Sequence, residues 1–256
     1  MTYRALAFFD LDGTLLDNHS QITPEVAEAI TRLKQNNVLP IIATGRAEPQ
    51  IQQIKAAAGI TSDTVMNGAF IRLDNQVVYQ EYIDKTICQR MIDAVHLKNQ
   101  EVVFYNEKDI WASGSNRYLV EAFEFIHAFV PEVHPQKFQQ SLVNMLLILG
   151  NTADHYYHEM FPELTFYRNS PFSIDVVRKG TSKGSAVKRI KEALQLSTIP
   201  TYGFGDGPND IALLDACDEK IAMGNATKEL KERATFVTKN NTDGGIVHAL
   251  KHFDLI

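Results

Sequence analysis

The sequence predicts an α/β fold: a doubly wound parallel-sheet core interrupted by an inserted α+β domain. Three observations carry this. Apolar runs of strand character alternate with helical periods over the first third of the chain, the alternation returns over the last third, and the middle abandons it. The expected boundaries are 1–81 and 182–256 for the core and 82–181 for the insert.

Tyr3–Phe9 is apolar at nearly every position, the pattern of a parallel strand covered on both faces. Thr23-Pro24-Glu25 opens a helix, with Thr23 as N-cap and Pro24 at the first helical position. Val26, Ile30 and Leu33 then recur at helical spacing. Val38–Ala43 is a second strand that stops at Thr44-Gly45-Arg46; a helix covers 47–58, and Thr64–Met66 is a short third strand. In the last third, helices are expected over Ser182–Leu194, Asn209–Ala216 and Asn225–Ala234, and strands over Pro200–Phe204, Lys220–Met223 and Thr235–Thr238. The middle holds aromatic-rich pieces such as "EVVFYNE", "RYLVEAFEFIHAFV" and "FSIDVV". Phe125 and Phe129 recur there at helical spacing with Ala122 and read as core.

Composition narrows the function classes. The chain has 256 residues, 45% apolar, with 25 basic and 31 acidic side chains for a net charge of −6. That balance argues against a nucleic-acid partner. No apolar run approaches the ~20 residues of a membrane span, and aspartates by position 10 speak against a signal peptide. Cys88 and Cys217 lack metal or redox spacing and read as buried thiols, which fits a cytoplasmic protein. His155 with His158, and His248 with His252, read as solvated helix faces.

In an open α/β sheet the ligand site lies at the carboxyl ends of the strands. Three such ends carry polar groups here: Asp10 and Asp12, then Thr44-Gly45-Arg46, then Asp206, Asn209 and Asp210. Asp10 and Asp12 lie two apart, so an extended chain turns both to one side. Converging carboxylates repel unless a cation sits among them, and hard oxygen ligands suit Mg²⁺. Gly13 lets the chain turn, and Thr14 can brace that turn locally. Lys183, at the start of an expected helix in "KGTSKGSAV", supplies a positive point charge for phosphate beside helix N–H donors. Three carboxylates, a hydroxyl, a lysine and Mg²⁺ are what phosphoryl transfer through an aspartyl-phosphate requires. Arg46 reads equally as a structural arginine or a substrate contact. For Asp206 and Asp210 the competing reading is simple acid placement at a helix start.

These stretches resemble the haloacid dehalogenase-like superfamily, in particular its Cof-type sugar-phosphatase branch. The resemblance rests on "FFDLDGTLLD", "ATGR", Lys183 and "GDGPND" in that order, with "NGAFI" and "IAMGNATKELKERATFVTKNNTDGGI" beside them. It implies a Rossmann-like core with an inserted α+β (type IIB) cap. It further implies that Asp10 is the nucleophile and a Mg²⁺ ligand. Asp12 would be the general acid and then base, binding metal through its backbone carbonyl. Thr44 and the Gly45 amide would hold phosphoryl oxygens, and Lys183 would pair with Asp10 and phosphate. Asp206 would complete the metal site, Asp210 would support it, and Asn209 would reach toward phosphate. An aspartate at position 12 favours hydrolysis or a mutase cycle.

The resulting expectation is a Mg²⁺-dependent phosphatase acting on a small phosphorylated metabolite, a sugar phosphate by resemblance. A phosphohexose mutase and a non-catalytic phosphosugar-binding module are the alternatives. The insert would choose the leaving group, with Trp111, Asn116, Arg117, Tyr118 and Arg168 as candidate contacts. Trp111 reads equally as a packing residue.

Overall fold

The computed structural model describes residues 3–152 and 154–256. Its first five strands are β1 (Ala5–Phe9), β2 (Val38–Ala43), β3 (Ser62–Val65), β4 (Phe70–Leu73) and β5 (Gln76–Gln80). The next five are β6 (Glu101–Tyr105), β7 (Ile110–Ala112), β8 (Met145–Leu149), β9 (Leu164–Tyr167) and β10 (Ser173–Arg178); β11 (Thr201–Gly205), β12 (Glu219–Ala222) and β13 (Phe236–Val237) close the series. Helices are α1 (Pro24–Gln35), α2 (Glu48–Ala58), α3 (Lys85–His96), α4 (Arg117–Phe125), α5 (Asp154–Met160), α6 (Lys183–Ala193), α7 (Ile211–Ala216), α8 (Lys228–Arg233) and α9 (Gly245–His252). None of them is long and apolar enough to cross a membrane.

An eight-stranded sheet runs in the order β13-β12-β11-β1-β2-β3-β4-β5. It is parallel from β13 to β3, and the β3–β4 and β4–β5 pairings are antiparallel. Every residue of β1 and β2 is buried, so the sheet centre is covered on both faces. One cover is α1 with α2 and α9; α6, α7 and α8 form a separate group. Chain order reverses beside β1, between β11 and β2, and the carboxyl ends there are where a ligand crevice forms. The α/β expectation therefore holds.

Local chemistry sets the helix starts. The Thr23 hydroxyl accepts from the Val26 amide at 3.3 Å, and Pro24 occupies the first turn of α1, as the sequence indicates. At α6, Ser182 and Ser185 form a reciprocal pair of 3.0 Å hydrogen bonds between side chain and backbone. That cap fixes Lys183 as the first helical residue.

The second sheet is antiparallel, in the order β7-β6-β8-β10-β9. Residue parity divides its two faces. Val103, Tyr105, Met145, Leu147 and Val177 join the hydrophobic cluster of the first sheet, together with Leu119, Ala122 and Phe123 of α4. Val102, Phe104, Trp111, Leu146, Ile148 and Val176 join a separate cluster with Cys88 and Met91 of α3 and Tyr157 of α5. Both cysteines are buried and free.

Several expected elements shift. The third strand ends at Val65, because Met66 and Asn67 adopt left-handed backbone (φ 52° and 53°). The helix expected from Asn209 begins as a short 3₁₀ turn and becomes α-helical at Ile211; the one expected from Asn225 starts only at Lys228, capped by Thr227. The aromatic period at Phe125 and Phe129 does not mark core. α4 ends at Phe125, His127 turns into left-handed backbone (φ 49°), and both phenylalanines are more than half exposed. His248 and His252 do lie at the surface, but both rings stack on Phe236.

Candidate active site

The carboxyl ends of β1, β2 and β11 converge as the sequence indicates, with the start of α6 beside them. Lys183 is completely buried, and its Nζ donates to Asp10 Oδ1 at 2.5 Å and Asp210 Oδ1 at 2.7 Å. Carboxylate oxygens of Asp10, Asp206 and Asp210 lie within 4.8 Å of one another. Asp210 is fully engaged, since its Oδ2 accepts from the backbone amides of Asp206 and Gly207, both at 3.0 Å. It therefore holds the loop and the lysine together and has no oxygen left over.

Gly13 explains how these loops come so close. Its φ is +75°, and a Cβ there would stand 2.3 Å from Asp206 Oδ2. A side chain would both strain the backbone and displace that carboxylate. Contrary to the expectation from the sequence, Thr14 does not brace its own turn; its hydroxyl reaches across to Asp206 Oδ1 at 3.3 Å. The turn instead closes through backbone bonds from Leu15 to Asp10 and from Leu16 to Leu11. Freed from local duty, Thr14 orients the third carboxylate.

Crowding shows in the protonation equilibria. Burial, then the neighbouring Asp210 carboxylate, drive Asp10 well above the usual carboxylate range, against the pull of Lys183. The same two causes push Asp206 up to about 7. Burial alone would lower Lys183, but Asp10 and Asp210 outweigh it and hold the ammonium charged. Three carboxylates against one ammonium leave an excess of negative charge, and that donor set fits a divalent cation. Asp10 Oδ2 and Asp206 Oδ2 form no hydrogen bond among the described residues and remain free to ligate. The Asp12 carboxylate stands outside this cluster. Arg46 grips it through Nε to Oδ2 at 2.8 Å and Nη2 to Oδ1 at 2.5 Å.

On β2's loop, Thr44 is buried and its hydroxyl accepts from the Arg46 amide at 3.1 Å. Gly45 follows, and a Cβ there would lie 2.8 Å from Asp175 Oδ2 of β10. Asn209 donates to Asn67 Oδ1 at 3.1 Å, and Asn67 donates on to Asp175 Oδ2 at 2.8 Å. A polar chain thus runs from the loop after β11 to the second sheet.

Above the carboxylates lies a cavity of about 510 Å³. Asp10, Asp12, Thr44, Gly45, Asp206 and Asn209 form its floor. Tyr105, Phe123, Phe125, Ile126 and Leu147 give one apolar side, and Asn169, Ser170, Ser173 and Asp175 give a polar one. None of the five sequence candidates from the insert lines it. Trp111 packs into the cluster on the far face of its sheet, having the parity of Phe104. Asn116 caps α4, and Arg117 folds onto its neighbour Tyr118. Arg168 forks onto Asp154, with both bonds at 2.6 Å. Sequence reasoning missed Asp175, Asn169, Asn67 and Ser173. The available signal was a carboxylate and a hydroxyl two apart in the otherwise apolar strand "FSIDVV". Burial raises Asp175 to about 6, even though amides of Asn67 and Asn169 favour its ionised form.

A family model described as haloacid dehalogenase-like hydrolase matches residues 7–250. The Bacillus subtilis (strain 168) protein named "Putative phosphatase YkrA" is 30% identical over 252 residues, covering 98% of each chain. A solved structure from Geobacillus kaustophilus HTA426 superposes with a TM-score of 0.89 at 32% identity, covering 99% of this chain and 100% of that one. The structure described as the HAD subclass IIB sugar phosphatase BT4131 gives a TM-score of 0.88 at 26% identity, over 98% of this chain and all of its own.

Proposed function

Since the chain belongs to the haloacid dehalogenase-like hydrolases and is a phosphoric monoester hydrolase, we propose that it is a Mg²⁺-dependent phosphatase of small phosphorylated metabolites. Sugar phosphates are the substrate class, and an acyl phosphate on Asp10 carries the phosphoryl group. The observation that carries this reading is Lys183, buried between Asp10 and Asp210 beneath the cavity floor. A buried ammonium beside a free carboxylate oxygen is a seat for a doubly charged phosphoryl group and for its attack.

One Asp10 carboxylate oxygen attacks phosphorus, and the bond to the leaving alcohol breaks. Asp12 gives that alcohol its proton. Deprotonated, Asp12 then takes a proton from water, which attacks the phosphorus of the acyl phosphate and releases inorganic phosphate from Asp10. The Thr44 hydroxyl and Gly45 amide bind the equatorial oxygens, Lys183 balances their charge, and Asn209 borders the same space. Asp10, Asp206 and the Asp12 carbonyl would hold Mg²⁺, whose chemistry is to neutralise charge on nucleophile and phosphoryl oxygens. Asp210 keeps Lys183 and the Asp206 loop in register.

We assign residues 82–181 as a cap that contacts the leaving group. Its polar side, with Asp175, Asn169, Ser170 and Ser173, offers acceptors and donors to hydroxyls. Its apolar side suits the C–H face of a sugar ring, and the cavity falls within the size range of small-molecule sites. The two free, buried thiols support a reducing compartment, the cytoplasm.

The test is phosphate release from a panel of hexose, pentose and nucleoside phosphates, with and without Mg²⁺. Free phosphate should accumulate without any bisphosphate activator, and Asp10→Asn should abolish it while melting as a folded protein. Isomer formation without phosphate release would establish a mutase instead. Ligand-induced stabilisation with no turnover on any member would establish a binding module.

A further inference from the structure

Arg46 is used by neither the phosphate seat nor the metal cluster, yet it is among the most buried charges in the molecule. Its side chain is 5% exposed, whereas that of Asp12 is 42% exposed and opens into the cavity. The guanidinium spends two nitrogens on the two oxygens of Asp12. Nη2 also donates to the backbone carbonyl of Ile126 at 2.8 Å and to the Ser20 hydroxyl at 3.2 Å. Ile126 follows α4, which packs on the second sheet, and Ser20 Oγ in turn reaches the same carbonyl at 3.5 Å. One side chain from the loop after β2 therefore ties the Asp12 turn to the inserted unit.

A forked arginine fixes a carboxylate in rotation as well as position, which a point charge does not. Proton transfer is sensitive to that geometry, because donor and leaving oxygen must meet within hydrogen-bond reach. We propose that Arg46 is a positioning residue for Asp12, and that the Ile126 carbonyl seats the guanidinium so that the proton carrier is aligned only when the inserted unit is docked. This rests on the phosphatase reading, in which Asp12 moves the proton. It explains why a strongly charged side chain is buried where it touches no phosphate-binding atom.

The experiment compares two esters of different leaving-group demand. p-Nitrophenyl phosphate departs as a stable phenolate and needs no proton, whereas a hexose phosphate departs as an alcohol and does. kcat/KM covers only the steps up to release of that group, so hydrolysis of the Asp10 acyl phosphate does not enter. Arg46→Met should lower kcat/KM for the hexose phosphate by about 10²-fold or more, the usual worth of general-acid help. For p-nitrophenyl phosphate the loss should stay within a few fold. Arg46→Lys, which keeps the charge without the fork, should fall between and guards against a variant that does not fold. Backbone hydrogen exchange over residues 117–129 should also quicken in both variants, with Mg²⁺ present or absent. Equal losses on the two esters would overturn the assignment, as would unchanged exchange. Wild-type protein that hydrolyses neither ester would instead refute the phosphatase reading, and Asp12's role with it.

Discussion

Replacing Asp175 with asparagine should make the protein more stable and a poorer enzyme toward hydroxylated substrates. In the folded state Asp175 titrates at about 6, against ~3.9 for an unfolded aspartate. Between those values the folded chain binds more protons than the unfolded one, so stability falls as pH rises through the window and is flat above it. A difference of roughly two pK units corresponds to about 2–3 kcal/mol at pH 7. Asparagine keeps an acceptor for the Asn67 and Asn169 amides, which reach Asp175 Oδ2 at 2.8 and 3.1 Å, and removes the charge. For a chain of this length that gain is a rise in melting temperature of roughly 5–10 °C. The assay is thermal unfolding of both proteins from pH 7 to pH 4: Asp175→Asn should melt higher at pH 7, and most of the gap should vanish by pH 4. The same variant should lose about 10-fold or more in kcat/KM on a sugar phosphate, the worth of a hydrogen bond to a charged acceptor, but not on p-nitrophenyl phosphate. A variant that melts no higher than wild type at pH 7, or shows the same pH slope, would refute the argument that this carboxylate is held ionised at a cost.

Lys183→Met should destabilise by about 3–5 kcal/mol, because it strands two buried carboxylates without their counter-charge; an unchanged melting temperature would contradict the ion-pair account. Mg²⁺ should raise the melting temperature of the wild type and EDTA should reverse the rise, with about 2.7 kcal/mol gained at 100-fold excess over Kd. Asp206→Asn should blunt that response, and a full response in this variant would remove Asp206 from the metal site.

The proposed phosphate end of the site was legible because each of its groups interrupts a strong local pattern. Asp10 ends an entirely apolar strand, Thr44-Gly45-Arg46 ends another, and Lys183 follows a capping serine. Thr14 was misplaced for the opposite reason. A threonine in a turn has local partners available in any sequence, and only the approach of β11's loop offers it Asp206. Phe125 and Phe129 were misread because helical spacing assumes that the helix continues. Nothing in "FIHAFV" forces left-handed backbone at His127: the stretch has no glycine, and a histidine that tolerates that region sits as readily in a helix.

The proposed leaving-group end escapes the sequence for a reason rooted in the second sheet. Its middle strand β8 is buried at every residue and reads as a continuous apolar run, so the binary pattern that reveals a one-sided sheet carries no signal there. Which face looks into the cavity is decided by register. Asp175 pairs across with Leu147 on one side and Tyr167 on the other, and therefore shares the parity of Leu147 and Tyr105. A slip of one residue would turn Asp175 toward α3 and α5, into a cluster of Met91, Tyr157 and Phe161 where a carboxylate has no partner. The cost of that burial holds the register, so the same carboxylate that lowers stability in the folded state selects the pairing that places it there. Its cost and its specificity are two consequences of one position. A polar pair two residues apart in an otherwise apolar strand is consequently informative: here Ser173 and Asp175 mark the face that lines the cavity.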